Sequence, residues 1–107
     1  MQSDRIKDVI ATRRLSLLNS NEAEIQVLLG KPEISDSYGY YCQFQIEGIG
    51  SGQIKYAKGL DAIEALQGAL FLIGVDLDFL NKSLGNMLRW EGHEEGDLGF
   101  PTSDRRT

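Results

Sequence analysis

The stretch RWEGHEEGDLGFP, Arg89 to Pro101, sets the only histidine of the chain, His93, among the carboxylates of Glu91, Glu94, Glu95 and Asp97. An imidazole with carboxylates is a donor set for a divalent metal. A carboxylate pair of which one member is desolvated performs general acid and base catalysis. The setting argues against both. Metal ligands and catalytic acids are held on rigid elements, whereas Gly92, Gly96 and Gly99 punctuate this stretch. A solvated turn that bends repeatedly, anchored by Trp90 at one end and Phe100 at the other, is the expected structure.

Other residues with chemical potential fare no better. Asp76 and Asp78 are a second carboxylate pair, but general acid and base work needs one of the two desolvated, and neighbouring acids are normally solvated. Cys42 falls on the apolar parity of a strand, where a thiol is a small hydrophobe and inert. Gly48 to Gly52, GIGSG, suggests a phosphate loop, but the phosphate fingerprints need a following helix and a different glycine spacing, and here a strand follows. A hairpin turn is expected instead. Tyr38, Tyr40 and Tyr41 open the third strand; Tyr41, on its polar parity, is a candidate binding residue, although cross-strand packing accounts for it as well. No catalytic residue and no metal set is therefore assigned, and no cofactor is called for.

Composition sets the frame for these residues. The 107 residues, 41% apolar and 25% charged, suit one globular domain spanning 1–107, with an ordered core over about 9–101 and flexible ends. A formal charge of −5 argues against nucleic acid, whose binding is dominated by Lys and Arg, and favours a cationic protein partner. The single Cys excludes an intramolecular disulfide and a Cys-rich zinc knuckle. The beginning, MQSDRIKDVIATRR, lacks the apolar run of a secretory signal. ALQGALFLIGV, Ala65 to Val75, is too short for the roughly 20 residues that cross a bilayer. A cytoplasmic protein with no membrane partner is expected.

The elements that must position these side chains follow from period. IATRRLSLL alternates with Ala11, Leu15 and Leu17 inward, EAEIQVLL with Ala23, Ile25, Val27 and Leu29, and YYCQFQIE with Tyr40, Cys42, Phe44 and Ile46 opposite Tyr41, Gln43, Gln45 and Glu47. QIKYAK would place Ile54 and Tyr56 inward. Asn19 to Asn21 and Gly48 to Gly52 supply turns, and Pro32 keeps its loop out of a central strand. Asp61 with Glu64 has the form of a helix cap, and a helix from about Ala62 to Leu80 follows. Its inner stripe is Ile63, Leu66, Leu70, Ile73 and Leu77, with Ala62 and Ala69 beside it. The fold class is α+β: an antiparallel meander of about four strands, one long helix on one face, and a C-terminal segment closing over the helix, with a short fifth strand near Leu88 to Glu91.

That helix carries more apolar residues than one stripe needs. Phe71, Leu72, Val75 and Phe79 fall on its flank and back, and apolar groups of that size left in water mark an interface. Either the C-terminal segment, through Leu88, Trp90, Leu98 and Phe100, or a second copy of the chain is expected to cover them.

Gly39-Tyr40-Tyr41-Cys42, the GIGSG turn, the GLDAIEALQGAL helix start and the closing WEG…DLGFP run occur in an order that resembles a family of small bacterial proteins of unknown function. Its members share a cysteine-bearing strand, a Gly-rich turn, a G-x-D-A-x-x-A-L-x-x-A-L helix and a terminal W-x-G…GFP segment. The resemblance covers Leu15 to Pro101 and implies a bacterial cytoplasmic protein. It brings no activity, so Asp61, Trp90, Asp97 and Phe100 receive structural weight only.

The expected function is a non-catalytic interaction module, not an enzyme, with an immunity-like role toward a cationic partner. Tyr41, Trp90, Glu91, Glu94, Glu95 and Asp97 are its candidate binding residues. The rivals are a small enzyme or metal-binding protein using His93 with Glu91, Glu94 or Asp97, and a homodimeric structural protein joined through Phe71, Val75 and Phe79.

Overall fold

Alternation makes strands of the first half of the chain, and the change of period after Gly59 makes a helix of the next twenty or so residues. The computed structural model describes residues 5–36, 39–93 and 95–101. In order, the elements are β1 (Val9–Leu17), β2 (Ser20–Gly30), β3 (Glu33–Ile34), β4 (Tyr40–Glu47), β5 (Lys55–Gly59), α1 (Ala62–Ser83) and β6 (Leu88–Trp90). The expectations placed on Tyr38, on Glu94, on the side chain of Ala23 and on the extreme ends lie outside the described residues.

The strands form one antiparallel sheet ordered β6-β1-β2-β4, with β3 and β5 also paired to β4. The four long strands make the expected meander, and β6 adds the short fifth strand beside β1, pairing Leu15 with Trp90 and Leu17 with Leu88. The first hairpin turns at Leu18 and Asn19, a residue earlier than expected, because Leu17 already pairs with Ser20.

One face of the sheet carries the main core: Leu15, Ile25, Val27, Leu29, Cys42, Phe44, Ile46, Ala57 and Leu88 are buried there beneath α1. Burial of this kind contributes roughly 25 cal/mol per Å² of apolar surface. Three orientations differ from the alternation pattern. Ala11 is exposed, since it sits toward the end of β1, and the C-terminal segment covers the strand only from Arg13 onward. In β5 the parity is reversed: Ala57 is buried and Tyr56 exposed. The cause is register. Ala57 pairs with Cys42 and Lys55 with Phe44, and a one-residue slip moves every side chain of a strand to the other face.

The third departure is on the far face, which is not uniformly wet. Leu28 and Gln45 are cross-strand partners there and are buried, with Ile6 against them. The Ile6 amide donates to Gln45 Oε1 at 3.1 Å, and Gln45 Nε2 donates to the Gly52 carbonyl at 2.9 Å. Gln45 is thus a satisfied buried amide, consistent with the cost of an unpaired one, and packing begins before residue 9.

The helix starts where its cap predicts. Asp61 Oδ1 accepts from the Glu64 amide at 2.8 Å, which satisfies one of the orphan donors of a helix start, and Glu64 Oε1 accepts in return from the Leu60 amide just before the cap at 2.6 Å. Its inner face is rotated from the expected stripe: Ala65, Ala69, Ile73, Gly74 and Leu77 are buried, Leu66 and Leu70 are half-buried, and Ile63 is 67% exposed. Small residues win this face because the sheet comes close. A Cβ at Gly68 would stand 3.1 Å from that of Ala57, so the helix rests on β5 through residues that leave room.

Candidate functional site

The C-terminal segment closes the fold through a device that the alternation of β1 contains. Arg13 pairs with Val27 and so points to the core side of the sheet, two residues from Leu15. Its guanidinium lies over the Trp90 ring at 3.7 Å and the Phe100 ring at 4.8 Å, and Nη1 donates to the Leu98 carbonyl at 3.0 Å. Burial lowers its pKa from the ordinary value. A cation over partly desolvated rings contributes on the order of 1–2 kcal/mol. Phe100 is buried as a result, and residues 100 and 101 lie so close to α1 that a Cβ at Gly74 would run into the Pro101 carbonyl oxygen.

The acidic residues of the turn are largely engaged in holding this shape. Glu91 Oε1 meets Arg14 Nε at 3.1 Å, and the Glu91 amide donates to the Arg14 carbonyl. Asp97 Oδ1 accepts from the Gly99 amide at 2.8 Å. His93 stacks on Trp90, with centroids 4.0 Å apart and planes 20° from parallel. Glu95 is exposed. Among the described residues no three of His, Cys, Asp and Glu come together as a ligand set. The turn brings Trp90, His93, Glu95 and Asp97 around one shallow hollow, an acidic and aromatic surface.

The remaining chemical candidates are separated. Asp76 pairs with Lys55 at 2.8 Å and Asp78 with Lys82 at 3.5 Å; residues two apart on a helix do not face each other, so they form no dyad. Cys42 is fully buried, Sγ lies 3.3 Å from the Gly30 carbonyl, and desolvation raises its pKa, which keeps it the neutral, unreactive thiol. GIGSG is the β4–β5 hairpin, with Gly48, Gly50 and Gly52 at positive φ. Tyr41 is half-buried and meets Tyr56 edge-on, centroids 6.1 Å apart, the cross-strand packing that competes with a binding role.

What stays open is the outer side of α1. The closing segment docks on the Gly74, Leu77 and Asn81 flank, and so Phe71, Leu72, Val75 and Phe79 are left uncovered, with Phe79 74% exposed. Phe100 therefore serves the clasp, while the other four do not take part in it. Beside the strip runs a groove of ≈ 330 Å³ between α1 and the β4–β5 hairpin, lined by Phe44, Ile46, Ile49, Phe79 and Leu80 and bordered by the Lys55–Asp76 pair. Among the described residues no helix is long and apolar enough to cross a membrane.

Sequence reasoning misses Arg13, Gln45 and Ile6. Arg13 shares the parity of Leu15, and that is the available signal; an arginine on an apolar face needs an aromatic or acidic neighbour, and Trp90 and Phe100 are spare anchors of that kind. For Gln45 and Ile6 there is none, because their burial depends on where the first described residues fold back.

The sequence pattern of a family described as a domain of unknown function (DUF6968) matches residues 11–102. No curated protein and no solved structure matches the chain.

Proposed function

Since the chain belongs to the family described as a domain of unknown function, DUF6968, whose description names no activity, we propose from the geometry that the domain is a non-catalytic protein-interaction module. One observation carries this reading. The chain has a closing segment with its own Trp and Phe anchors, yet that segment docks on one flank of α1 and leaves Phe79 largely, and Phe71, Leu72 and Val75 in part, exposed to water. A contiguous apolar strip of this kind marks a contact surface.

Charge chooses the kind of heterologous partner. With a formal charge of −5, and with Glu91, Glu95 and Asp97 exposed around the turn after β6, a cationic protein is favoured electrostatically. An immunity-like neutralisation of such a partner in a bacterial cytoplasm is the role that fits a small acidic domain with a buried reduced thiol. The enzyme reading has less support: His93 is stacked on Trp90, and among the described residues the acids nearest it in sequence, Glu91, Glu95 and Asp97, are exposed.

Capture from native extract tests this function. Wild type is expected to retain a stoichiometric basic protein at low salt and release it at high salt, because exposed charge pairs are screened beyond about 10 Å at 0.1 M. Glu91→Ala/Glu95→Ala/Asp97→Ala is expected to retain at least tenfold less. Absence of any stoichiometric protein, or one held equally by both forms at all salt concentrations, would overturn the cationic-partner reading.

A further inference from the structure

Resting on the reading of the outer side of α1 as a docking surface, we propose that its occupant is a second copy of the chain, with the two α1 helices antiparallel about a two-fold axis at residue 73. One line of the helix supports this. Glu64, Phe71, Val75 and Lys82 are spaced so that, at about 100° per residue, they fall within roughly 40° of one another. Phe71 and Val75 are 38% and 43% exposed, and Glu64 and Lys82 are exposed.

The line is a chemical palindrome: acid, apolar, apolar, base. Turned end for end, it sets Phe71 of one copy against Val75 of the other and Glu64 against Lys82, each contact occurring twice. That is the self-complementarity a two-fold interface requires. A parallel pairing would instead oppose Glu64 to Glu64 and Lys82 to Lys82, which is repulsive. Opposed helix dipoles favour the same direction. Lys82 is available for the exchange, because its contact with Asp78 at 3.5 Å joins two side chains that are largely in water, and such pairs contribute little; Glu64 accepts from the Leu60 amide through Oε1, and its second carboxylate oxygen is the one that would meet Lys82. Leu72 and Phe79 lie beside the line toward the groove, and widen the apolar contact.

This arrangement does not cover the turn at Glu91, Glu95 and Asp97, which are exposed. It sits against the other flank of α1, near Asp78 and Asn81. A dimer would thus present two acidic turns to heterologous partners while its helix strips close on each other.

Light scattering coupled to size exclusion, over a wide range of protein concentration, tests the proposal. Wild type is expected to reach twice the chain mass. Val75→Glu is expected to stay at the chain mass throughout, with an unchanged helix signal and cooperative unfolding. Lys82→Glu alone is expected to weaken dimerisation about tenfold, and Glu64→Lys/Lys82→Glu to restore it. A wild type that remains monomeric at every concentration overturns the proposal, as does a dimer indifferent to both Val75→Glu and the single charge reversal. If Val75→Glu fails to fold, the charge-reversal pair decides. A monomer that still captures a basic protein from extract removes the second copy as occupant and leaves the interaction reading standing; a dimer that captures nothing keeps the second copy as occupant and removes the cationic partner.

Discussion

Ile73→Ala is expected to lose about 2–5 kcal/mol of unfolding free energy, whereas Ile63→Ala, ten positions earlier on the same helix, is expected to stay within about 0.5 kcal/mol of wild type. The two residues are chemically identical, and period alone puts both on one inner stripe. They differ in environment. Ile73 is fully buried between α1 and the sheet, and Ile63 is 67% exposed. Truncating Ile73 removes its transfer free energy and leaves a cavity that Ala69, Leu77 and the strands beneath can only partly collapse into. Truncating Ile63 removes little buried surface and replaces a β-branched residue by a better helix former. Denaturant unfolding at one fixed protein concentration measures both, since self-association would otherwise enter the midpoint. Equal losses would mean that α1 is rotated from the orientation described.

Gly99→Ala is expected to destabilise the domain by about 3 kcal/mol and to free the closing segment. Gly99 has φ +84°, a left-handed conformation that costs an L residue about 1–2 kcal/mol. The added methyl would also lie 2.6 Å from Arg13 Nη1 and press on the Trp90 ring, and overpacking of that kind costs roughly 1–3 kcal/mol. Neither neighbour can yield easily. Trp90 is fixed in β6 opposite Leu15, and Arg13 is held over two rings and by the Leu98 carbonyl. The segment should therefore lift from the sheet. Trp90 is the only Trp in the chain, so its emission reports on this event alone: a red shift and a lower denaturation midpoint are expected. Unchanged emission with unchanged stability would show that residues 98–101 do not clasp the fold.

These two variants also mark what is legible in the sequence. Strand periods, the Asp61 cap, the long helix and the short strand at Trp90 are readable, because alternation, capping chemistry and spare aromatics are local signals. The helix rotation is not. Period locates an apolar stripe, but α1 has apolar residues nearly all round, and the choice between Ile63 and Ala65 is made by how closely β5 approaches at Gly59 and Ala57. The parity of β5 fails for a related reason. Ile54 and Tyr56 outweigh Ala57 in hydrophobicity, yet pairing with Cys42 and Phe44 fixes the register, and cross-strand partners are not visible within a single segment.

The site is legible in part. That Glu91, His93, Glu95 and Asp97 are exposed, that Cys42 is buried, and that Phe71 and Val75 lie on the outer side of α1 all follow from composition and period, whereas Leu72 and Phe79 turn toward the groove beside the β4–β5 hairpin. Which flank of α1 the closing segment chooses does not. That choice depends on Gly74, whose missing side chain admits Phe100 and Pro101, and on Arg13, whose partners are far away in sequence.

The most direct measurement compares the unfolding stability of wild type with that of Phe71→Gln/Phe79→Gln at protein concentrations low enough to exclude association. Gln keeps helix propensity while removing the apolar rings. If the strip serves contact with another chain and not the core, the two substitutions together should leave unfolding within about 1 kcal/mol of wild type. A loss on the scale expected for Ile73→Ala would place these residues in the core and contradict the account.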